Sequence, residues 1–411
     1  MKSVNIKKGI VPSSSIFYNF KLKHTNCPSC QSENVEDFFT IPNAPIQSLV
    51  TIREKDDAFS IPSTNIDLCF CHDCGFIFNS SFDTTYDYYT KGYEDQQGFS
   101  PTFKKFITSI TSRFIDRYQM RNKDIVEIGC GKGDAILLFC ELGNNKGIGI
   151  DPAWVPGRTN PNPNLRFIPE FYSEAHGNLE ADCIFCRHTL EHIHATNEFV
   201  KTIRQSIKDR ENVIVFFEVP SIVRILKIQS FWDIFNEHCS YFSPGSLARL
   251  FRANYFEILD MYLEYDNQYL FIETKPVTEI STKIHPLEES VEELYGMVTE
   301  FTSKITKTLD IWRQKLLELQ RKNRKTVIWG GGSKSVGFMT NFHDIGLIEY
   351  VVDVNPHMEG NYIPGIGRQY VQPKFLVEYK PDAVIIMNGV YKDEIRNMLK
   401  EMDLDPELLI L

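Results

Sequence analysis

With 411 residues, 42% of them hydrophobic and 24% charged, the chain is too long for one ordinary domain and too apolar for a disordered one, so two or three domains are expected. Its 54 acidic and 44 basic side chains give a net charge of −10, and no segment gathers the Lys and Arg that a phosphate backbone demands, which argues against nucleic acid as a partner. No run approaches the roughly 18 to 20 apolar residues that span a bilayer, and the first twenty residues hold no hydrophobic leader. A cytoplasmic protein with no membrane partner is expected, in which the ten cysteines serve metal binding or burial rather than disulfides.

Residues 1–24 are polar, carry Pro12 ahead of a Ser triplet, and read as a flexible arm. Residues 25–82 read as short strands and turns punctuated by Pro, Asn and Asp, a small domain without an obvious core of its own. The aromatic stretch YDYYTKGYEDQQGF follows, then a Ser-Pro start with Phe103, Phe106, Ile107, Ile110, Phe114 and Ile115 at helical spacing. This predicts a lead-in helix. From Asp124 buried strands alternate with helices, the pattern of a doubly wound α/β sheet, and two strands after Tyr255 can form an antiparallel hairpin at its edge, so this domain spans 83–275. Residues 276–325 hold one long amphipathic helix, with Val291, Leu294, Val298, Phe301, Ile305, Leu309, Trp312, Leu316 and Leu319 in steps of three and four. It is either a coiled-coil seam or a helix lying across its own domains, so monomer and homodimer both stand. A second, shorter Rossmann-like α/β unit fills 326–411, with strands TVIWG, YVVDV and AVIIM.

Two CxxC knuckles, Cys27/Cys30 and Cys71/Cys74, offer four thiolates, a tetrahedral all-sulfur set for structural zinc. Cys69 competes with Cys71, although the two-residue spacing favours Cys71. In IVEIGCGKGDA a buried strand ends at Glu127 and the chain turns through Gly129, Gly131 and Gly133 into a helix, so that backbone can approach a ligand at the strand's carboxyl end. Asp151 ends the next strand, placed to accept from both ribose hydroxyls. Together with Glu127 this points to a class I S-adenosylmethionine (SAM) methyltransferase rather than an NAD enzyme, with the adenine near Phe171. After the fourth strand, Arg187, His188, Glu191 and His192 fall at the carboxyl edge; contact with cofactor or substrate, a metal pair and structural histidines are all open readings. Glu237 and His238 sit in an aromatic loop before a helix that Ser243 caps and Pro244 starts, and a histidine beside a carboxylate is the usual general base.

The order of parts resembles the bacterial nucleotide-sugar C-methyltransferases: a four-cysteine zinc module, a SAM methyltransferase core carrying EHCSYFSPGSL, and a C-terminal Rossmann-like lobe with VIWGGGSKSVG and YVVDVNPHMEGNYIPG. The resemblance implies a class I SAM methyltransferase fold in 83–275, a zinc-binding domain in 25–82 and a substrate or nucleotide lobe in 326–411. It implies a nucleotide-linked keto-sugar as partner, His238 as base with Glu237 beside it, and His192 and a tyrosine of the YDYY segment, Tyr88 before the others, as further site residues. In the last lobe, WGGGSKSVG and Asp353 offer three readings: nucleotide-sugar diphosphate binding with Lys334 on a phosphate and Asp353 as a further substrate-binding residue, a lobe that only packs, or an NAD site. The chain differs where those enzymes carry Tyr-x-Glu-His, having Phe235 instead, and AVIIMNG runs on as VYKDEI. O-methylation of a hydroxyl thus remains an alternative, and a non-catalytic SAM-sensing zinc-ribbon regulator is the alternative from another class.

Overall fold

The computed structural model describes residues 23–411 apart from 87, 90 and 91. All but the last two residues of the expected arm lie outside the described residues. The first domain is built on β1 (Val35–Pro45), a short α1 (Lys55–Phe59), β2 (Ser63–Cys71) and β3 (Ile77–Asn79). The strands pair antiparallel, with Val35 opposite Cys71, so the end of β2 brings the second knuckle back to the first.

Helix α2 (Pro101–Tyr118) starts on the Ser100 cap, whose hydroxyl accepts the Phe103 N–H at 3.2 Å, and buries Phe103, Ile107, Ile110, Phe114 and Ile115. Then come β4 (Asp124–Ile128), α3 (Asp134–Gly143), β5 (Lys146–Ile150), β6 (Leu165–Ile168), β7 (Cys183–Arg187), α4 (Thr196–Ile207), β8 (Ile214–Pro220), α5 (Ile222–Ile228), β9 (Ser240–Tyr241), α6 (Pro244–Ala253), β10 (Phe256–Glu264) and β11 (Tyr269–Pro276). Seven of these strands form one sheet in the order β10-β11-β8-β7-β4-β5-β6. Strands β8, β7, β4, β5 and β6 are parallel, and the β10–β11 hairpin continues the sheet beyond β8, with β11 antiparallel to both of its neighbours. Strand order reverses between β4 and β7, which opens a crevice at the carboxyl ends of those two strands. The short β9 leaves this sheet and pairs with β3, so the loop ahead of it is anchored to the first domain.

Helix α7 (Val291–Arg321) opens with a capping box between Ser290 and Glu293. It leads to β12 (Thr326–Trp329), α8 (Ser333–Phe342), β13 (Tyr350–Val352), β14 (Gln369–Val371), α9 (Leu376–Tyr379), β15 (Ala383–Ile386), α10 (Lys392–Glu401) and β16 (Glu407–Ile410), whose five strands form a parallel sheet in the order β14-β13-β12-β15-β16. The stripe Leu294, Val298, Phe301, Ile305, Leu316 and Leu319 is buried in one cluster with Phe70 and Ile77 of the first domain and Phe338 of α8. The long helix therefore lies across its own domains, and it supplies the core that the first domain lacks. Each such side chain contributes about 1.5 to 3 kcal/mol, and Phe301→Ala at this junction should cost about 3 to 5 kcal/mol. Among the described residues no helix is long and apolar enough to cross a membrane.

Candidate active site

The two knuckles meet. Cys27 Sγ lies 3.6 Å from Cys74 Sγ and Cys30 Sγ 3.5 Å from Cys71 Sγ, and the four sulfurs all fall within 4.8 Å of one another. A tetrahedron with Zn–S bonds of about 2.3 Å has edges of about 3.8 Å, so this donor set fits zinc after small adjustments. Cys69 is buried outside the cluster, facing Asp37, and burial pushes its thiol up to about 12.

At the carboxyl end of β4 the chain turns through Gly129, Gly131 and Gly133 at φ of +72°, +52° and +89°. Side chains rarely adopt these angles, and a Cβ on Gly131 would stand 2.5 Å from Asp95. Just past β5, Asp151 closes the turn, its Oδ2 accepting the Gly131 N–H at 2.8 Å and its Oδ1 the Ala153 N–H at 2.7 Å. Each oxygen keeps a further lone pair. Burial, with Asp95 nearby, pushes Asp151 up to about 6; burial pushes Glu127 up to about 8, and its Oε2 has no hydrogen-bond partner among the described residues. Phe171 stands 58% exposed at the surface; the ring against the turn is Phe167, which lies beside Gly133 and stacks on Trp154 at 4.7 Å.

A segment between the first domain and α2 lies over this turn. The buried Lys132 Nζ donates to the carbonyls of Tyr93 at 2.8 Å and Ala153 at 3.0 Å. Glu94 accepts both Arg158 Nη atoms, at 3.0 and 3.1 Å, and the Asn355 amide at 2.9 Å, tying the last lobe to the same place.

At the end of β7, His188 takes a left-handed φ of +48°, uncommon for a side-chain-bearing residue and a frequent mark of functional positions. The turn places its ring between two carboxylates, Nε2 3.0 Å from Glu218 Oε1 and Nδ1 3.4 Å from Glu191 Oε1, while Arg187 Nε pairs with the other Glu218 oxygen. Burial opposes the charge on His188, but Glu218 and Glu191 outweigh it and push His188 up to about 9. Burial would likewise raise Glu218, yet Arg187 and His188 hold it down at about 2. Glu191 is 2% exposed, and neither carboxylate oxygen has a hydrogen-bond partner among the described residues.

His238 arrives opposite on the loop between α5 and β9, its ring 4.9 Å from that of His192 and 4.0 Å from that of Phe235. Glu191, His192 and His238 each bring one ligand atom within 4.8 Å of the others. Burial, then His192 and His188, hold His238 well below the usual histidine value, and burial also lowers His192. His238 is thereby neutral at pH 7, with its lone pair available.

The pairing expected of Glu237 and His238 does not occur. Asn236 and Glu237 form a tight turn closed by the His238 N–H on the Phe235 carbonyl, and the Glu237 carboxylate turns to the first domain, where both oxygens lie 2.9 Å from Ser48 Oγ and Oε1 also accepts the Ser48 N–H. Its main-chain carbonyl accepts His192 Nδ1 at 2.9 Å. The carboxylate near His238 is Glu191. Tyr88 is likewise engaged elsewhere, its hydroxyl donating to the Asp83 carbonyl at 3.1 Å and accepting from Asn236 at 3.4 Å. The phenol ring against His192, at 5.5 Å, belongs to Tyr89. In the last lobe Lys334 Nζ pairs with Asp233 and donates to Gln268 at 3.3 Å, and Asp353 accepts the N–H groups of Gly331 at 2.6 Å and Asn355 at 2.7 Å. Sequence reasoning pointed to the YDYY segment but preferred Tyr88 to Tyr89, and it missed Lys132, Glu94 and Ser48; the signals were a lysine inside the glycine turn and an unusually aromatic, acidic stretch before α2.

The sheet order with its antiparallel hairpin is that of the class I SAM methyltransferase fold. Residues 102–260 match the family model of a methyltransferase domain, and residues 275–406 match that of the C-methyltransferase C-terminal domain. The two matches place a methyltransferase domain ahead of a C-methyltransferase C-terminal domain in one chain. The C-methyltransferase NovU of Streptomyces niveus is 23% identical to it over 246 residues, 57% of this chain and 57% of NovU, so the match spans somewhat more than half of that curated relative. Similar solved structures include 1,6-didemethyltoxoflavin-N1-methyltransferase of Burkholderia thailandensis (17% identity, 44% of this chain and 82% of that one, TM-score 0.32). Another is the N,N-8-amino-8-demethyl-D-riboflavin dimethyltransferase of Streptomyces davawensis (13% identity, 43% and 55%, TM-score 0.35).

Proposed function

We propose that this chain is a C-methyltransferase that methylates a carbon next to the carbonyl of a nucleotide-linked keto-sugar, using SAM, with His238 as the general base. The observation that carries the reading is a neutral histidine with an unpartnered ring, beside the Glu191 carboxylate, at the carboxyl edge of the sheet that also holds the glycine turn. The residues of that turn fit SAM: backbone held open at Gly129, Gly131 and Gly133, spare lone pairs on Asp151 for two ribose hydroxyls, and an unpartnered oxygen on Glu127. When bound, SAM supplies an electrophilic methyl group.

His238 takes the proton from the carbon beside the acceptor's carbonyl, and the C–H electron pair is left as the enolate that is to be methylated. Glu191 then stabilises the imidazolium. Arg187, His188 and Glu218 form a charged lattice that keeps Glu191 in place. Lys334 uses two of its three N–H groups on Asp233 and Gln268, which leaves one for a diphosphate oxygen. Asp353 acts by shaping the turn ahead of α8.

Incubation with methyl-labelled SAM and a panel of nucleotide-linked keto-sugars, followed by mass and NMR analysis, tests the reading. A new carbon-bound methyl is expected; transfer only to hydroxyl oxygens would replace it with O-methylation, and no SAM binding at all would end it. For the cysteine cluster we assign one structural zinc per chain, which metal analysis should find in the wild type and not in Cys71→Ser.

A further inference from the structure

We propose that Glu191, His192 and His238 form a second metal site, open on the acceptor side, for a divalent first-row transition ion of the zinc class. The three ligand atoms lie within 4.8 Å of one another, whereas ligands around a tetrahedral ion at about 2.1 Å are about 3.4 Å apart. Even a pair at the 4.8 Å limit would have to close by no more than about 1.4 Å, within reach of side-chain rotation. The surroundings are those of a metal histidine. A backbone carbonyl can only accept, so the 2.9 Å contact between His192 Nδ1 and the Glu237 carbonyl puts the proton on Nδ1 and leaves the Nε2 lone pair free. Metal-bound histidines are oriented by such an outer hydrogen bond. Glu191 is buried with its Oε1 3.4 Å from His188 Nδ1, and neither oxygen has a hydrogen-bond partner among the described residues, so the carboxylate keeps lone pairs that an ion can take. The His238 ring has aromatic neighbours and no hydrogen bond among the described residues.

Two imidazoles and one carboxylate suit zinc, cobalt, nickel and iron rather than magnesium or calcium. The set differs from the cysteine cluster, which is all sulfur and has no open position. Binding here engages the lone pair that His238 would use as a base, so the ion is an inhibitor. That consequence rests on the methyltransferase reading; occupancy of the site does not.

The test uses the full chain, purified with its cysteine-bound metal, and cobalt(II) as the probe. One further equivalent of cobalt is expected, with the weak visible bands of nitrogen and oxygen ligands and none of the intense near-ultraviolet absorption of thiolate-bound cobalt. Glu191→Gln, which keeps the side-chain volume, and His192→Gln should each weaken uptake by more than the roughly 10- to 100-fold typical of losing an outer partner. Thermal unfolding verifies that the variants are folded. Wild type that takes up no cobalt with these bands overturns the proposal, as does uptake that survives both substitutions. SAM calorimetry without cobalt is read separately, so a failed metal site and a failed methyltransferase reading give different results.

Discussion

The two α/β units share one local device and use it differently. In each, a strand runs into a glycine turn and a helix, and the acid after the next strand clamps the turn by its backbone: Asp151 on Gly131 and Ala153, Asp353 on Gly331 and Asn355. Around the first turn lie the segment carrying Tyr93 to Asp95 and, along the same sheet edge, the histidines. Around the second, a Cβ on Gly331 would meet Tyr370 at 2.8 Å, and α8 is turned toward the loop that carries His238. Gly337 lets that helix approach the Trp232 carbonyl, where a Cβ would come within 2.6 Å, Phe338 stacks on Phe231, and Lys334 holds Asp233. The first unit offers its turn to a ligand and the second offers its helix to the loop. The same strand-turn-helix motif is thus a folding device whose chemistry depends on what packs against it.

The sharpest way to break this comparison is at the loop the second unit supports. His238→Ala should lower methyl transfer by roughly 100- to 10,000-fold while SAM affinity stays within a few-fold; near-normal turnover would move the base to His192. Next, Asp151→Ala should weaken SAM by about 1.5 to 3 kcal/mol in calorimetry, the scale of losing hydrogen bonds to a charged acceptor. Asp353→Ala should leave SAM affinity within about twofold, and equal losses in the two variants would show that both turns serve SAM.

The charged lattice under the histidine edge sets a pH signature absent from the second unit. His188, raised to about 9 in the fold, contributes stability that is full below its unfolded value of about 6.5 and is lost as pH rises through 9. Glu218, held at about 2, contributes above about 4.3 and loses its contribution as pH falls toward 2. Urea unfolding of the wild type should therefore show about 2 to 3 kcal/mol less stability at pH 9.5 than at pH 6 from this source, and His188→Gln should abolish that part of the slope. The smallest effect is expected at Lys334→Met, which should raise the acceptor KM about two- to fivefold and leave SAM affinity unchanged, the scale of one partly exposed charge contact. A drop in stability with no change in KM would make Lys334 purely a bracket for Asp233.

Much of this molecule is legible from residue order, because the signals involved are short-range. The Ser100 cap and the stripe from Phe103 to Ile115 specify α2, the three-and-four spacing from Leu294 to Leu319 specifies the buried face of α7, and the CxxC spacing and the acids at strand ends place candidate groups without knowledge of the fold. What residue order left open is which partner each group takes. Neighbouring on the chain suggested Glu237 for His238, but Glu237 meets Ser48, 189 positions away, and the carboxylate near His238 is Glu191. Tyr88 and Tyr89 cannot be ranked by sequence, because adjacent rings take different partners, Tyr88 stacking on Phe82 and Tyr89 lying against His192. Whether α7 joins a second copy or covers its own domains was also undecided by its heptad-like pattern, since an apolar stripe states that it must be buried but not by what. Periodicity and caps act over a few residues and are written in the sequence. Charge partners, tautomers and shared cores come from packing segments far apart in the chain, and only the tertiary structure decided them.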